Sequence, residues 1–271
     1  VKHLAVGYHY PVLLDIDFSI KGGQKVVITG FNGIGKSTLL KTLIGQIPSM
    51  QGHFKFSDQV ALGYFEQDLI WDEPEQTPIQ IVSNVHPDMV IKDVRKHLAR
   101  CGISSKHAMQ AIGTLSGGEQ AKVKMCLLTL TPCNFLIMDE PTSGLDPLIR
   151  SQLLTMLTDY MNSGGKGVFF STHITSDLDK IADMLIMIDN GHIVFQEEKD
   201  TLLDYYRIVK GDVRYLNAET RKLFLSTTET AFGFSGITKK ISEVQRLIPD
   251  VVVERPTIED IMLGSIEGGK K

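Results

Sequence analysis

The hydrophobic positions of the chain fall into short apolar runs that alternate with stretches of helical spacing. Three runs have the length of buried strands, namely 25–30, 135–138 and 168–171. Three further segments have the spacing expected of helices, namely 37–44, 115–130 and 148–160. Because strands and helices alternate in this way, we predict an α/β fold with a mainly parallel core sheet.

Two other segments indicate antiparallel pairing. Residues 52–65 alternate apolar and polar side chains, which predicts a small antiparallel β ribbon. Residues 184–188 and 192–195 flank the dipeptide Asn190-Gly191. Both positions of a two-residue hairpin turn need positive φ, which Asn and Gly tolerate, so we predict a β-hairpin there.

Two regions depart from the regular alternation and predict the domain organisation. Residues 68–118 contain several prolines, polar clusters and a helical stretch at 89–101, which predicts an inserted helical lobe. Residues 200–271 mix helical pieces with a strand candidate at 251–253. We therefore expect a main domain at 1–199 and a small α+β accessory subdomain at 200–271.

Composition narrows the classes of function. The chain has 271 residues, 42% of them hydrophobic, and a formal net charge of -4, without the basic patch of a dedicated nucleic-acid binder. We expect no direct DNA binding. The three cysteines lack zinc-site spacing and indicate buried, reduced thiols in a cytoplasmic protein. The longest apolar runs are strand-sized, so we expect no membrane-spanning helix.

The strongest chemical signal is the loop Gly30-Phe31-Asn32-Gly33-Ile34-Gly35-Lys36-Ser37. It satisfies the pattern G-x-x-x-x-G-K-[ST] between a predicted strand and a predicted helix. The glycines let backbone N–H groups and the helix N-terminus surround phosphates. We expect Lys36 to reach the β- and γ-phosphates and the Ser37 hydroxyl to bind Mg²⁺. An ordinary glycine-rich turn is the alternative.

Two acidic residues follow the apolar strand at 135–138. Asp139 and Glu140 lie where a parallel sheet presents groups to a ligand. We expect Asp139 to hold the Mg²⁺ shell and Glu140 to orient or deprotonate an attacking water. The alternative is an acidic pair that caps the turn before Pro141.

A second anion-ready helix start is Leu115-Ser116-Gly117-Gly118-Glu119-Gln120. Taken alone, it is equally an ordinary N-cap. A second phosphate cradle from the same chain cannot easily wrap the same nucleotide, so this segment raises the possibility of ATP held between two subunits.

These motifs, with His173 after the strand at 168–171, occur in an order that resembles the nucleotide-binding domains of the ATP-binding-cassette (ABC) family of P-loop NTPases. The resemblance covers roughly residues 1–194. It implies Mg²⁺-dependent ATP hydrolysis with Glu140 and His173 as catalytic residues. It further implies a head-to-tail dimer of two copies that powers a membrane transporter, attached at the inner face of the cell membrane.

The resemblance also assigns residues to the nucleotide. Tyr8 is similar to the aromatic that stacks on adenine, with Tyr10 as its rival, although an aromatic there can also cover the sheet edge. Ser143-Gly144-Leu145-Asp146 resembles the D-loop and Gln67 the Q-loop glutamine. The residues expected at ATP are Tyr8, Asn32, Gly33, Gly35, Lys36, Ser37, Thr38, Gln67, Ser116, Gly117, Gly118 and Asp146. Those expected at Mg²⁺ are Ser37, Gln67 and Asp139.

The two halves of the chain resemble different branches of the family. Residues before about 142 resemble the second cassette of ABC-F proteins, which act on ribosomes. The segments 143–147, 171–178 and 254–262 resemble bacterial transporter ATPases. We therefore hypothesise a hybrid with a junction near 139–145. Two alternatives to the transporter ATPase follow: an ABC-F-type, ribosome-associated translation factor, and a hybrid cassette that binds ATP with little turnover.

Overall fold

The computed structural model of the chain describes residues 1–268, along which strands and helices alternate as predicted. The strands are β1 (Lys2–Gly7), β2 (Pro11–Ile16), β3 (Lys25–Thr29), β4 (Gln51–His53), β5 (Leu62–Phe65), β6 (Phe135–Asp139), β7 (Gly167–Thr172), β8 (Met184–Asp189), β9 (His192–Glu198), β10 (Arg207–Gly211), β11 (Ser226–Thr230), β12 (Gly233–Thr238) and β13 (Val252–Glu254). The helices are α1 (Lys36–Leu43), α2 (Pro78–Val85), α3 (Ile91–Arg100), α4 (Gly117–Leu130), α5 (Pro147–Asn162), α6 (Thr175–Ile181), α7 (Lys199–Tyr205), α8 (Ile241–Leu247) and α9 (Ile258–Gly268).

The central sheet has six strands in the order β5-β6-β7-β3-β8-β9. The first five are parallel and β9 pairs with β8 antiparallel. The predicted α/β class with a mainly parallel core sheet is thus confirmed. In the register, Ser171 lies beside both Ile28 and Asp139. The segments that follow β3, β6 and β7 therefore emerge side by side at one edge of the sheet, which is where such sheets bind ligands.

The predicted ribbon within residues 52–65 is wrong. Strand β4 pairs antiparallel with β1, whereas β5 pairs parallel with β6 in the central sheet. The antiparallel ribbon of the fold is instead the three-stranded sheet β2-β1-β4. Alternation of apolar and polar residues determines which face of a strand is buried, but it does not identify the neighbouring strand.

The predicted hairpin after β8 is confirmed. Asn190 and Gly191 connect β8 and β9 with φ values of 46° and 81°. Both residues adopt positive φ, as a two-residue turn requires.

The predicted burial of Cys101, Cys126 and Cys133 is also observed.

The helical lobe has a hydrophobic cluster of its own. Helices α2 and α3 and one face of α4 enclose it, with Val82, Val94 and Leu98 fully buried. Helix α2 begins at Pro78 and is capped by Thr77, whose hydroxyl accepts from the Gln80 N–H in a capping box. Within residues 1–268, no helix is long and apolar enough to span a membrane.

The C-terminal region forms a second, smaller sheet. Strands β11-β12-β10-β13 make this sheet, which is antiparallel, and α8 packs on it through a hydrophobic cluster. Helix α9 packs between this sheet and the main core. It contacts β11 and β12, and Ile258 and Ile261 share one hydrophobic cluster with Leu178 and Met187. The last helix of the accessory region therefore packs directly on the main domain.

Candidate nucleotide site

One cavity at the carboxyl edge of the central sheet brings together most of the predicted site residues. Its volume is about 470 Å³. The predicted residues in its wall are Tyr8, Asn32, Gly33, Gly35, Lys36, Ser37, Thr38, Gln67, Glu140 and His173. Tyr8 lines this cavity and is 64% exposed, whereas its rival Tyr10 lies outside the cavity wall and is 74% exposed.

The loop between β3 and α1 is shaped by glycine. Gly33 and Gly35 have φ values of 78° and 105°, in the region that residues with a side chain rarely adopt. A Cβ atom at Gly35 would also lie 2.8 Å from Val12 Cγ1. Gly35 is the N-cap of α1, so the positive end of this helix begins at the cavity wall, where an anion is favoured.

Lys36 is almost fully buried and folds back onto the loop. Its Nζ donates to the carbonyl oxygens of Gly30 and Phe31, at 2.9 and 3.0 Å. The same ammonium lies 3.3 Å from Glu140 Oε1, and both side chains are under 10% exposed (4% and 8%). These three acceptors hold the Lys36 ammonium at the cavity wall. Phosphate oxygens can replace them as hydrogen-bond acceptors.

Asp139 has one satisfied and one unsatisfied carboxylate oxygen. The hydroxyls of Ser37 and Ser171 donate to Oδ1 at 2.9 and 2.8 Å. Oδ2 is buried and has no hydrogen-bond partner among residues 1–268. Burial raises the pKa of Asp139, and the two hydroxyls oppose that shift. A buried oxygen without a partner fits a divalent cation such as Mg²⁺, which binds oxygen ligands and neutralises their charge.

Glu140 lies between the lysine and the histidine. Its Oε2 is 2.5 Å from His173 Nδ1, and its backbone N–H donates to Ser171 Oγ at 2.9 Å. Its φ of 45° is rare for a residue other than glycine, and such conformations concentrate at functional sites. The carboxylate is thus held at the cavity wall by His173, which follows β7, and by Lys36 of the phosphate loop.

A family model described as ABC transporter matches residues 13–143. The uncharacterized ABC transporter ATP-binding protein YfmM of Bacillus subtilis is 37% identical over 162 residues, covering 60% of this chain and 31% of that protein. TTE0246 of Caldanaerobacter subterraneus, named as an ABC transporter ATP-binding protein, is 32% identical over 213 residues, covering 69% of this chain and 86% of that protein. The chain belongs to the ABC family.

Other relatives are similar to this ABC domain over part of their length. ABC transporter F family member 2 of Arabidopsis thaliana is 30% identical over 227 residues, covering 82% of this chain. The chain spans 31% of the length of both that protein and YfmM. A dimeric ATP-binding cassette, MJ0796, bound to ADP and Pi, shares the fold with a TM-score of 0.63 at 20% identity, covering 73% of this chain and 97% of that chain.

Members of the ABC family are ATPases that generally use Mg²⁺ with ATP, and their nucleotide-binding domains dimerise. Five predicted residues of this ABC domain lie outside the wall of the cavity described above. Asp139 lies behind the wall, where it accepts from Ser37, and the other four lie at the starts of α4 and α5. Ser116 is the N-cap of α4 in a capping box with Glu119, and Gly117 follows it at the exposed helix start. Gly118 is buried, and a Cβ atom there would lie 2.7 Å from Ile149 Cγ2. Asp146 caps α5 by accepting from two backbone N–H groups.

A second cavity connects the start of α4 with the nucleotide cavity. Its volume is about 370 Å³, and Gly117 lies in its wall. Gln67, Glu140 and Ser143 line both cavities. In its own chain, the segment Ser116–Gly118 is therefore separated from the phosphate loop by this second cavity.

The ABC domain also contains a polar network that sequence reasoning missed. The Thr142 hydroxyl donates to Asp177 Oδ2 at 2.7 Å, and Arg150 Nε lies 3.4 Å from Asp177 Oδ1. Asp177 is fully buried, so these contacts hold the segment after Glu140 against α6. Ser171 is a second omission, because it bonds both Asp139 and Glu140. A run of polar residues at the end of a buried strand, Ser171-Thr172-His173, was the available signal.

Proposed function

We propose that Lys36, Asp139, Glu140 and His173 bind and hydrolyse MgATP in this cavity, and that two copies of the chain close on two nucleotides to drive a membrane transporter. The observation that carries the proposal is the meeting of these four side chains at one edge of the sheet. Lys36 Nζ lies 3.3 Å from Glu140 Oε1, and His173 Nδ1 lies 2.5 Å from Glu140 Oε2. Glu140, the proposed base, is therefore adjacent both to Lys36, the proposed phosphate ligand, and to His173, the proposed γ-phosphate contact.

Nucleotide binding uses the phosphate loop. The amides that begin α1 and the Lys36 ammonium bind the β- and γ-phosphates, while Asn32, Gly33, Gly35 and Thr38 complete the wall. Phosphate oxygens replace the Gly30 and Phe31 carbonyls as acceptors for Lys36.

The Mg²⁺ position is assigned to Ser37, Asp139 and Gln67. Ser37 and Asp139 already contact each other, and the free Oδ2 of Asp139 supplies a second oxygen. When bound, Mg²⁺ neutralises charge that develops on the phosphate oxygens. Gln67 lies in the wall of both cavities and connects this position to the helical lobe.

Hydrolysis requires Glu140 to leave its present partners. Binding of the γ-phosphate draws Lys36 and His173 away from the carboxylate, which is then free to accept a proton from water. The water oxygen forms a bond to the γ-phosphorus, and the bond between that phosphorus and the β–γ bridging oxygen breaks. ADP and inorganic phosphate result, and the water proton resides first on Glu140.

The second copy is proposed from the exposed start of α4. Ser116 and Gly117 are exposed, and no atom of residues 1–268 lies within 4 Å of a Cβ atom placed at Gly117, so a γ-phosphate on another copy has access. We assign Asp146, the N-cap of α5, to the same interface between the two copies. The dimeric MJ0796 cassette with ADP and Pi supports this arrangement.

The transporter assignment is supported by TTE0246, most of whose length the chain covers. An ABC-F-type role at the ribosome is favoured instead by the similarity to an ABC transporter F family member. We expect the chain to co-sediment with inner-membrane vesicles and not with ribosomes, in nucleotide-free buffer and with ATP. Co-sedimentation with salt-washed ribosomes in an ATP-dependent manner, without membrane association, would overturn the transporter assignment.

The adenine contact gives a matched pair of variants. Tyr8→Ala is expected to weaken ATP binding roughly tenfold, because an aromatic–base stack contributes about 1–3 kcal/mol. Tyr10→Ala is expected to leave the ATP dissociation constant unchanged, since Tyr10 lies outside the cavity. Isothermal titration calorimetry measures both constants. Equal effects of the two substitutions, or a larger effect of Tyr10→Ala, contradict the assignment of Tyr8.

A further inference from the structure

Helix α9 of the C-terminal region passes beside the nucleotide site. A small cavity of about 120 Å³ separates this helix from the phosphate loop and from the switch loop, which we define as residues 173–175. Phe31 and His173 line one side of it, and Met262 and Leu263 of α9 line the other. No sequence motif assigns a role to this helix, yet it lies next to His173, the proposed γ-phosphate contact.

Two hydrogen bonds join α9 to the elements that hold the site. The Thr175 hydroxyl donates to Glu259 Oε2 at 3.2 Å. The buried Thr29 hydroxyl donates to Met262 Sδ at 3.9 Å. Thr29 ends β3 directly before the phosphate loop, and Thr175 follows His173 by two residues. Helix α9 therefore contacts the chain on both sides of the γ-phosphate position.

Helix α9 is held in place by buried side chains and by a capped N-terminus. Ile258 and Ile261 are almost fully buried against the main core, at 1% and 0% exposure. The helix start is fixed because the backbone N–H and hydroxyl of Thr257 both donate to Asp260 Oδ2. Glu259 lies within this turn, and its exposed carboxylate contacts the Thr175 hydroxyl.

The histidine itself has few restraints. Its side chain is 37% exposed and is held at Nδ1 by Glu140, the contact that nucleotide binding must break. Once that contact is broken, the position of the ring depends on the backbone of the switch loop. The hydrogen bond from Thr175 to Glu259 ties that backbone to α9.

We propose that Glu259 is a positioning residue for hydrolysis, which acts on His173 through Thr175, so that the C-terminal region sets the turnover rate. This inference rests on the proposed function of His173. The apolar cavity beside the ring leaves room for it to turn from Glu140 toward the γ-phosphate. The Glu259 contact restricts that movement to the productive range.

The expected kinetic effect falls on kcat. Glu259→Ala lowers kcat for ATP hydrolysis roughly three- to tenfold, the effect of one hydrogen bond, and leaves KM for MgATP unchanged. Thr175→Val lowers kcat to a similar extent, and the double variant is no slower than either single variant. Glu259→Gln retains most of the activity, because its amide oxygen also accepts from the hydroxyl. Glu267→Ala, an exposed position on the same helix, is the matched control.

The second readout is the histidine itself. In the NMR spectrum of the full chain labelled on histidine side chains, the His173 signal is identified by its loss in His173→Ala. We expect Glu259→Ala and Thr175→Val to shift this signal and Glu267→Ala to leave it in place. An unmoved His173 signal, or a shifted signal with wild-type kcat, overturns the proposal. Full turnover in Glu140→Gln instead overturns the proposed hydrolysis mechanism, and the His173 shift then still reports the α9 contact.

Discussion

Glu140→Gln is expected to lower kcat for ATP hydrolysis at least roughly 100-fold while ATP still binds. A general base contributes about 10²–10⁴-fold to such a reaction, and glutamine cannot accept the water proton. The substitution keeps the shape of the side chain beside Lys36 and His173. Phosphate release from ATP by the purified chain measures the turnover, and calorimetry measures the binding.

The matched control for this variant is Glu197→Gln, which changes an exposed carboxylate on β9. It should retain wild-type turnover. Because closure persists when hydrolysis is slow, Glu140→Gln should also accumulate as an ATP-bound dimer in size-exclusion chromatography. Turnover near that of the control would remove Glu140 from the mechanism, and a monomer at saturating ATP would count against the two-copy arrangement.

Lys36→Ala is expected to weaken ATP binding roughly 100-fold, since charge-assisted hydrogen bonds to phosphate contribute about 1.5–3 kcal/mol each. Lys36 is the buried cation of the phosphate loop, and its loss also leaves Glu140 without an ammonium partner. Calorimetric titration with MgATP measures the change. Circular dichroism and thermal unfolding separate a loss of binding from a loss of folding.

An exposed lysine provides the control for that variant. Lys21 is exposed and precedes β3, whereas the phosphate loop follows the other end of that strand, so Lys21→Ala should bind ATP as the wild type does. If both lysine variants bind ATP with the wild-type affinity, the loop Gly30–Ser37 is not the phosphate site. An equal weakening in both would indicate a general charge effect in place of a specific contact.

The site residues that could be predicted from the sequence lie at the carboxyl ends of strands. Strands β3 and β6 are short apolar runs. The phosphate loop begins at Gly30, directly after β3, and Asp139 is the last residue of β6. In a parallel sheet the carboxyl ends of neighbouring strands share an edge, so the convergence of these segments follows from topology. The glycine pattern then specifies the loop conformation, which the positive φ of Gly33 and Gly35 reflects.

The remainder depends on contacts between residues far apart in the chain. Pairing of β5 with β6 rather than β4 is decided by packing in the central sheet, which local alternation does not encode. The Thr175–Glu259 hydrogen bond joins residues 84 positions apart, and the sequence segments that contain them assign no role to either side chain. Asp146 illustrates a third limit, because one carboxylate can serve as a helix cap and as a contact to a partner copy.

The hypothesis of a hybrid chain stays a prediction, but its consequence for the site is now defined. Residues at the proposed junction, 139–145, contact residues that follow it in the chain: Ser171 donates to Asp139, and His173 contacts Glu140. These contacts join the two segments in one arrangement. A cassette with poor turnover would bind MgATP with normal affinity yet show a low kcat in the wild type.

The most direct test of the account is the ATP turnover of the purified full chain, measured with Mg²⁺ over a range of protein concentrations for the wild type and Glu140→Gln. The account predicts that turnover per molecule rises with concentration, as two copies close on ATP, and that Glu140→Gln is nearly inactive throughout. Turnover that is the same in both proteins, at every concentration, would contradict it.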